Sequence, residues 1–263
     1  QMDEVLELAN LNNIAYVEWD RLGKAQYYDF AVQNHIERIL ELPYLNIDAI
    51  RKRSLKVVID CVNGAGGTII PKLLAELGCE VFTINEEPHG IFPRNPEPTA
   101  ENLHALEQAV EQHKADVGFA VDPDVDRLAI VSGDGKAIGE ELTLVMVTDF
   151  VLSHKVGPVV VNASTTMAID DVAAKYHTKC HRTKIGEINV STKMKEVHAV
   201  IGGEGNGGVI LPDTHMGRDA VTGIALMLQY ITEKGRSISE IVDELPSYVM
   251  KKDKIELGKI DIS

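Results

Sequence analysis

The feature that most limits what this chain can fold into is a repeat. In its first pass, LKVVID (55–60) reads as a β-branched strand, NGAGG (63–67) as a turn, TIIPKLLAELG (68–78) as a helix closed by Gly78, and CEVFTI (79–84) as a second strand. A proline-rich loop, EPHGIFPRNPEPT (87–99), leads to a helical stretch, AENLHALEQAVEQHK (100–114). VGFAV (117–121) and LAIV (128–131) then flank the loop DPDVDR (122–127), and EELTLVMVTDFVLSH (140–154) returns as a helix. The second pass has the same order. PVVVN (158–162) is a strand, TTMAIDDVAAKYH (165–177) a helix and TKCHRT (178–183) a strand, while HAVIG (198–202) and GVIL (208–211) flank GEGNGG (203–208) before the helix AVTGIALMLQYITEKG (220–235). Strands alternating with helices of this length predict an α/β fold: two similar three-layer α/β/α domains with mixed, largely parallel sheets, whose ligands sit at loops beyond the strand ends. The two matching loops, DPDVDR and GEGNGG, are therefore the places to look for function.

The expected boundaries follow from the repeat. Residues 53–155 form the first α/β domain, 156–247 the second, 1–52 the remnant of an upstream domain plus a linking helix, and 248–263 the start of a further domain. The linking helix is read at Tyr27–Leu42, where Phe30, Ala31, Ile36, Ile39 and Leu40 stand near helical spacing before Pro43. A chain of 263 residues has room for two such cores.

Composition narrows the partners. A formal charge of −14 repels a nucleic-acid backbone, so an anionic ligand has to be held by a local basic cluster. No apolar run reaches the roughly 18 residues of a membrane span, and the first residues carry no secretory signal. Cys61, Cys79 and Cys180 are odd in number and lack metal-ligand spacing, which reads as reduced thiols and a cytoplasmic protein.

Asp122, Asp124 and Asp126 alternate along one short loop, so a curled backbone turns all three carboxylates toward one point. A hard cation with oxygen ligands relieves their repulsion, and Mg²⁺ is the natural choice; a solvated acidic turn is the plainer alternative. A calcium EF-hand is excluded, since its sixth position needs Gly and its twelfth Glu, whereas counting from Asp122 these are Arg127 and Gly133. Arg127 sets a permanent cation beside the triad, the pairing that phosphoryl transfer uses, although it also serves simply to neutralise the aspartates. In GGEGNGG, Glu204 and Asn206 stand among glycines that let a backbone approach a ligand, with a glycine-rich hairpin as the plainer alternative. NGAGG lacks the third glycine of a dinucleotide fingerprint, because Ile69 occupies that place, and reads as a strand-to-helix turn. Asp219 is read as the N-cap of the helix that follows it.

DPDVDR followed by LAIV resembles the metal loop of the α-D-phosphohexomutase family, which includes phosphoglucomutase, phosphomannomutase and phosphoglucosamine mutase. Val125 departs from that loop, where a small residue is common. GEGNGG resembles the family's sugar-binding segment, TKIGEINV its T-x-V-G loop, and MGRDAVTG a further family segment. The resemblance implies Mg²⁺ on Asp122, Asp124 and Asp126, Arg127 as the catalytic cation, and substrate contacts from Lys184, Gly186, Glu204, Asn206 and Arg218. It implies transfer of phosphate between C1 and C6 of a hexose, with a hexose phosphate and a hexose 1,6-bisphosphate as ligands. An upstream phosphoserine stores the phosphoryl group and a downstream domain grips the other phosphate. The serine loop of the family, T-A-S-H-N-P, does not occur in this sequence, so this chain is expected to carry the two central domains and to be inactive alone. YVMKKDKIEL (248–257) is expected to open the last domain. GEGNGG leaves the choice of hexose open. One rival is a phosphotransferase of the haloacid dehalogenase type with Asp122 as nucleophile, but Val125 and Asp126 replace the small residue and Thr expected after its second aspartate. A non-catalytic sugar-phosphate-binding module is the other.

Overall fold

Successive residues of the central strands point to opposite sides, and that alternation builds the layers. The computed structural model describes residues 2–10 and 16–249. Residues 1–31 and 32–263 separate into two units. The first holds α1 (Met2–Asn10) and a 3₁₀ turn at Trp19–Arg21, with Trp19, Tyr27, Tyr28 and Phe30 all exposed.

The second unit contains both passes of the repeat. It takes in α2 (Ala31–Leu40) from Val32 onward, followed by α3 (Ile47–Arg53). The helix expected at 27–42 is thus shorter at its start: Ile36 and Ile39 are buried, whereas Phe30 is exposed and lies outside it. Next come β1 (Lys56–Asp60), α4 (Gly66–Glu76), β2 (Glu80–Ile84), α5 (His104–His113), β3 (Val117–Val121), β4 (Leu128–Ser132) and α6 (Glu140–His154). The second pass runs through β5 (Val159–Asn162), α7 (Ala168–Lys175), β6 (Cys180–Thr183), α8 (Glu187–Val197), β7 (Ile201–Glu204), β8 (Gly208–Ile210), α9 (Ala220–Lys234) and α10 (Ile238–Asp243). The sheet orders are β2-β1-β3-β4 and β6-β5-β7-β8, the same arrangement twice. In each sheet the first three strands are parallel and the last is antiparallel.

Val57 and Ile59 face one cluster with Ile70, Leu73 and Leu74 of α4, while Val58 faces another with Leu106 and Val110 of α5. Val159 and Val161 likewise join Ile169 and Val172 of α7, and Val160 turns to Val190 and Met194 of α8. A strand flanked by helices on both faces has no solvated side, which explains its near-continuous apolar sequence. The clusters containing α4 and α7 are one continuous core, to which α6 and α9 both belong. These two helices are buried nearly all round, from Thr143 to Leu152 and from Ala220 to Ile231, as a helix packed between two layers must be. α6, which directly follows the first pass, packs on β4 and also on β7 and β8.

TKIGEINV is read from sequence as a loop, but Glu187 already opens α8, with Gly186 as its N-cap at φ 114°. Most of the segment 248–257, expected to open the last domain, lies outside the described residues. Among the described residues, no helix is long and apolar enough to cross a membrane. Burial pushes the thiols of Cys61, Cys79 and Cys180 up to about 12, so they are held protonated.

Candidate metal and sugar site

Both signal loops are the hairpins between the antiparallel strands, one in each sheet: residues 122–127 join β3 to β4, and 205–207 join β7 to β8. The repeat therefore brings the two loops to equivalent ends of two equivalent sheets. They also touch. The Leu128 N–H donates to the Gly207 carbonyl at 3.1 Å, and the Ala220 N–H at the start of α9 donates to the Val125 carbonyl at 3.0 Å. Gly207 has φ +88°, and a Cβ there would stand 2.3 Å from the Leu128 carbonyl oxygen, so only glycine permits this approach. On the other side of the aspartate loop, Ala65 N–H donates to the Pro123 carbonyl at 2.9 Å, and a Cβ on Gly64 would meet Pro123 Cα at 2.7 Å. NGAGG is thus a turn that lets a backbone pass close to the aspartate loop.

The aspartate loop curls because Asp122 holds it. Its Oδ1 accepts the N–H groups of Asp126 and Arg127, each at 3.0 Å, and Val125 between them takes a left-handed conformation at φ +65°. The result is that Asp122, Asp124 and Asp126 offer carboxylate oxygens within 4.8 Å of one another. Asp122 is buried, Asp126 half-buried and Asp124 exposed, which leaves the cluster open on one side. Burial, then the hydrogen bond and charge of Asp126, push the Asp122 carboxyl up to about 7. Oδ1 of Asp126 is buried without a hydrogen-bond partner, and so is Nε of Arg127 3.6 Å from it. Arg127 Nη1 donates to Glu97 Oε1 at 2.8 Å.

Glu204 ends β7 and is buried. Its Oε1 accepts from Asn162 Nδ2 at 2.9 Å and from the Gly186 N–H at 3.1 Å, and its Oε2 from Arg218 Nη1 at 2.7 Å. A carboxylate has about four lone-pair sites, so one remains for a ligand. Asn206 is half-buried in the hairpin and accepts the Gly208 N–H through Oδ1 at 3.3 Å. Lys184 is exposed just ahead of Gly186. Arg218 draws the set together, because its guanidinium also pairs with Asp126 and with Glu187, the latter at 3.2 Å. Asp219 caps α9, its Oδ1 accepting the Val221 N–H at 2.9 Å.

Sequence reasoning passed over several supports. Asn162 orients Glu204, and Glu97 engages Arg127. Arg94 joins the buried Asp60 at 2.7 Å and reaches the Val121 carbonyl at 3.4 Å, directly before Asp122. A lone arginine and glutamate inside a long proline-rich loop, PRNPEP, were the available signal.

Fold and site together define a tandem α/β/α protein whose paired hairpins bring an acidic loop against a buried glutamate. Residues 33–135 match the family model for phosphoglucomutase/phosphomannomutase, alpha/beta/alpha domain II, and residues 139–248 match alpha/beta/alpha domain III. The chain belongs to the phosphoglucomutase/phosphomannomutase family. It is 37% identical over 246 residues to a probable phosphoglucosamine mutase of Methanopyrus kandleri, covering 93% of this chain and 53% of that protein. It is 38% identical over 239 residues to a phosphoglucomutase/phosphomannomutase of Thermococcus kodakarensis, covering 90% and 52%. The chain thus spans about half the length of these curated relatives. A phosphoglucomutase/phosphomannomutase family protein from Burkholderia thailandensis superposes with a TM-score of 0.74 at 28% identity, over 84% of this chain and 48% of that one.

Proposed function

We propose that this chain supplies the metal loop and sugar loop of a phosphohexomutase, which moves phosphate between C1 and C6 of a hexose through a hexose 1,6-bisphosphate and a phosphoserine outside these residues. The observation that carries the reading is the position of Arg218, whose one side chain touches both Asp126 of the metal loop and Glu204 of the sugar loop. In this reading the working units are residues 53–155 and 156–247, with 1–52 leading in and 248–263 leading out.

The donor set suits Mg²⁺: all oxygen, three carboxylates, and a buried Asp126 oxygen with no hydrogen-bond partner. Asp122, Asp124 and Asp126 would hold the ion, which when bound withdraws charge from a phosphoryl oxygen. Arg127, beside the triad, adds a fixed positive charge where the transferring phosphoryl group becomes more negative. Glu204 accepts hydrogen bonds from sugar hydroxyls with its remaining lone pair, Asn206 and the Gly186 backbone flank it, and Lys184 and Arg218 offer positive charge to a substrate phosphate. A cytoplasmic location belongs to the same reading and rests on Cys61, Cys79 and Cys180 being free thiols.

An amino sugar is the second reading of the substrate. The Methanopyrus kandleri relative carries the name phosphoglucosamine mutase, and GEGNGG does not by itself decide between the hexoses. Calorimetric titration with Mg²⁺ and then with glucose, mannose and glucosamine 1,6-bisphosphates tests both. Heat from at least one sugar, lost in Glu204→Gln, is expected, and the strongest binder names the substrate. No binding of any of the three overturns the proposal.

A further inference from the structure

Among the described residues a second group of metal-ligating side chains converges, and it shares no residue with the aspartate loop: His35, His215 and Asp219. His35 comes from α2, His215 from the connection between β8 and α9, and Asp219 from the N-cap of α9. His35 Nε2 lies 3.0 Å from Asp219 Oδ2 and His215 Nε2 lies 3.3 Å from the same oxygen. The three donor atoms fall within 4.8 Å of one another. A tetrahedral zinc with bonds of about 2.0–2.1 Å sets its donors roughly 3.3 Å apart, so two of the three edges already have the required length.

The carboxylate is positioned as a metal ligand usually is. Asp219 is buried, its Oδ1 is fixed by the Val221 N–H, and the Thr222 hydroxyl donates to Oδ2. The neighbouring Arg218 does not neutralise it, because that guanidinium is paired with Asp126, Glu187 and Glu204. His215 is 42% exposed, which leaves an entry side and room for water to complete the shell.

We propose that His35, His215 and Asp219 form a site for a divalent transition metal of the zinc type, which ties α2 to the start of α9. Two imidazoles and one carboxylate select a borderline ion such as Zn²⁺ or Co²⁺ over Mg²⁺, whose preferred ligands are all oxygen. Binding requires a proton shift at each histidine. The Gly217 N–H donates to His215 Nδ1 at 3.0 Å, which puts the proton of the neutral ring on Nε2. Coordination through Nε2 shifts that proton to Nδ1 and opens this single turn hydrogen bond; at His35 the Nε2 proton that the Asp219 carboxylate accepts likewise moves to Nδ1, so that the freed Nε2 lone pair and the carboxylate oxygen both turn to the ion. The site does not depend on the mutase reading.

The test uses the whole chain, stripped with chelator and then titrated with Zn²⁺ by calorimetry and with Co²⁺ by visible absorption. With excess Mg²⁺ present to occupy the aspartate loop, one Zn²⁺ per chain is expected, together with a Co²⁺ spectrum of low coordination number. His35→Ala and His215→Ala should each weaken binding by at least about tenfold and erase the cobalt bands, while Asp124→Asn and excess Mg²⁺ leave both unchanged. Circular dichroism checks that the variants fold, and His215→Gln substitutes if His215→Ala does not. The proposal is overturned if Zn²⁺ does not bind, leaving only a hydrogen-bonded His–Asp–His bridge. Binding that is equal in the histidine variants, or that is removed by Asp124→Asn or Mg²⁺, overturns it as well.

Discussion

Arg218 lays its guanidinium on the carboxylate of Asp126, 92 residues earlier in the chain, and on Glu204 at the end of β7. The pairing makes opposite demands on metal and on fold. Removing the cation leaves Asp126 more available to a dication, yet leaves Glu204 buried without its charged partner. Arg218→Met should therefore tighten Mg²⁺ binding while lowering stability by about 1–3 kcal/mol. Calorimetry and urea denaturation of the same variant measure the two effects. A loss of Mg²⁺ affinity would mean that Arg218 shapes the loop rather than competing for its charge.

Asp124 is the exposed member of the triad, so replacing it changes charge with little effect on packing. Loss of an outer-shell partner already costs a metal site about 10–100-fold, and Asp124→Asn should weaken Mg²⁺ binding by at least about tenfold. An unchanged titration isotherm would remove Asp124 from the ligand set.

Val125 combines a buried side chain with φ +65°. A left-handed conformation costs an L-residue roughly 1–2 kcal/mol, and burial of a valine returns about the same amount. Val125→Gly loses the packing and relieves the strain, whereas Val125→Ala loses packing and keeps the strain. The usual core order should invert, with alanine the less stable variant by about 1 kcal/mol. Thermal melting of both proteins decides it, and a glycine variant less stable than the alanine one refutes the strain argument.

Asp149 on α6 is buried, and burial alone would push its carboxyl up. Hydrogen bonds from Lys175 at 2.6 Å, Tyr230 and Tyr176 outweigh that and hold it below the ordinary carboxylate range. A depressed carboxyl stabilises the fold above its unfolded value, near pH 4, and that contribution is lost as pH falls through the folded value. Asp149→Asn should then be less stable than wild type at pH 7 by about 1–3 kcal/mol, with the gap closing below pH 4. A gap independent of pH would assign the effect to packing.

The phosphohexomutase reading places the phosphoryl store outside these residues. Ser132 is buried and donates to Asp134 and to the Lys136 carbonyl, and Ser164 donates to Asn162. Hydrogen bonds from Ser132 and Lys136 hold the Asp134 carboxyl down to about 2, too weak a base to activate Ser132, and Ser164 faces only an amide. The 263-residue chain, given Mg²⁺, a hexose 1-phosphate and its 1,6-bisphosphate, should show no turnover in a coupled assay. Turnover abolished by Asp122→Ala, with a trapped aspartyl phosphate, would favour the dehalogenase-type chemistry.

Local pattern was enough for much of this protein. Apolar runs such as KVVID and PVVVN, spaced by helices, specify strands buried on both faces, and their recurrence specifies two sheets of one order. The convergence of Asp122, Asp124 and Asp126 was legible because three carboxylates share six residues, and the cap at Asp219 because a helix N-cap is a local requirement. Other features depend on contacts between distant segments. Nothing near Arg218 in sequence says that it meets Asp126, nothing near Gly207 that the Leu128 backbone lies against it, and nothing near His35 that Asp219 and His215 wait on another element. α6 and α9 read alone as apolar helices, and only the packing of two sheets around them decides that they are shared. Periodicity records which side of its own element a residue occupies, whereas the partner on that side is chosen when the whole chain closes around one core.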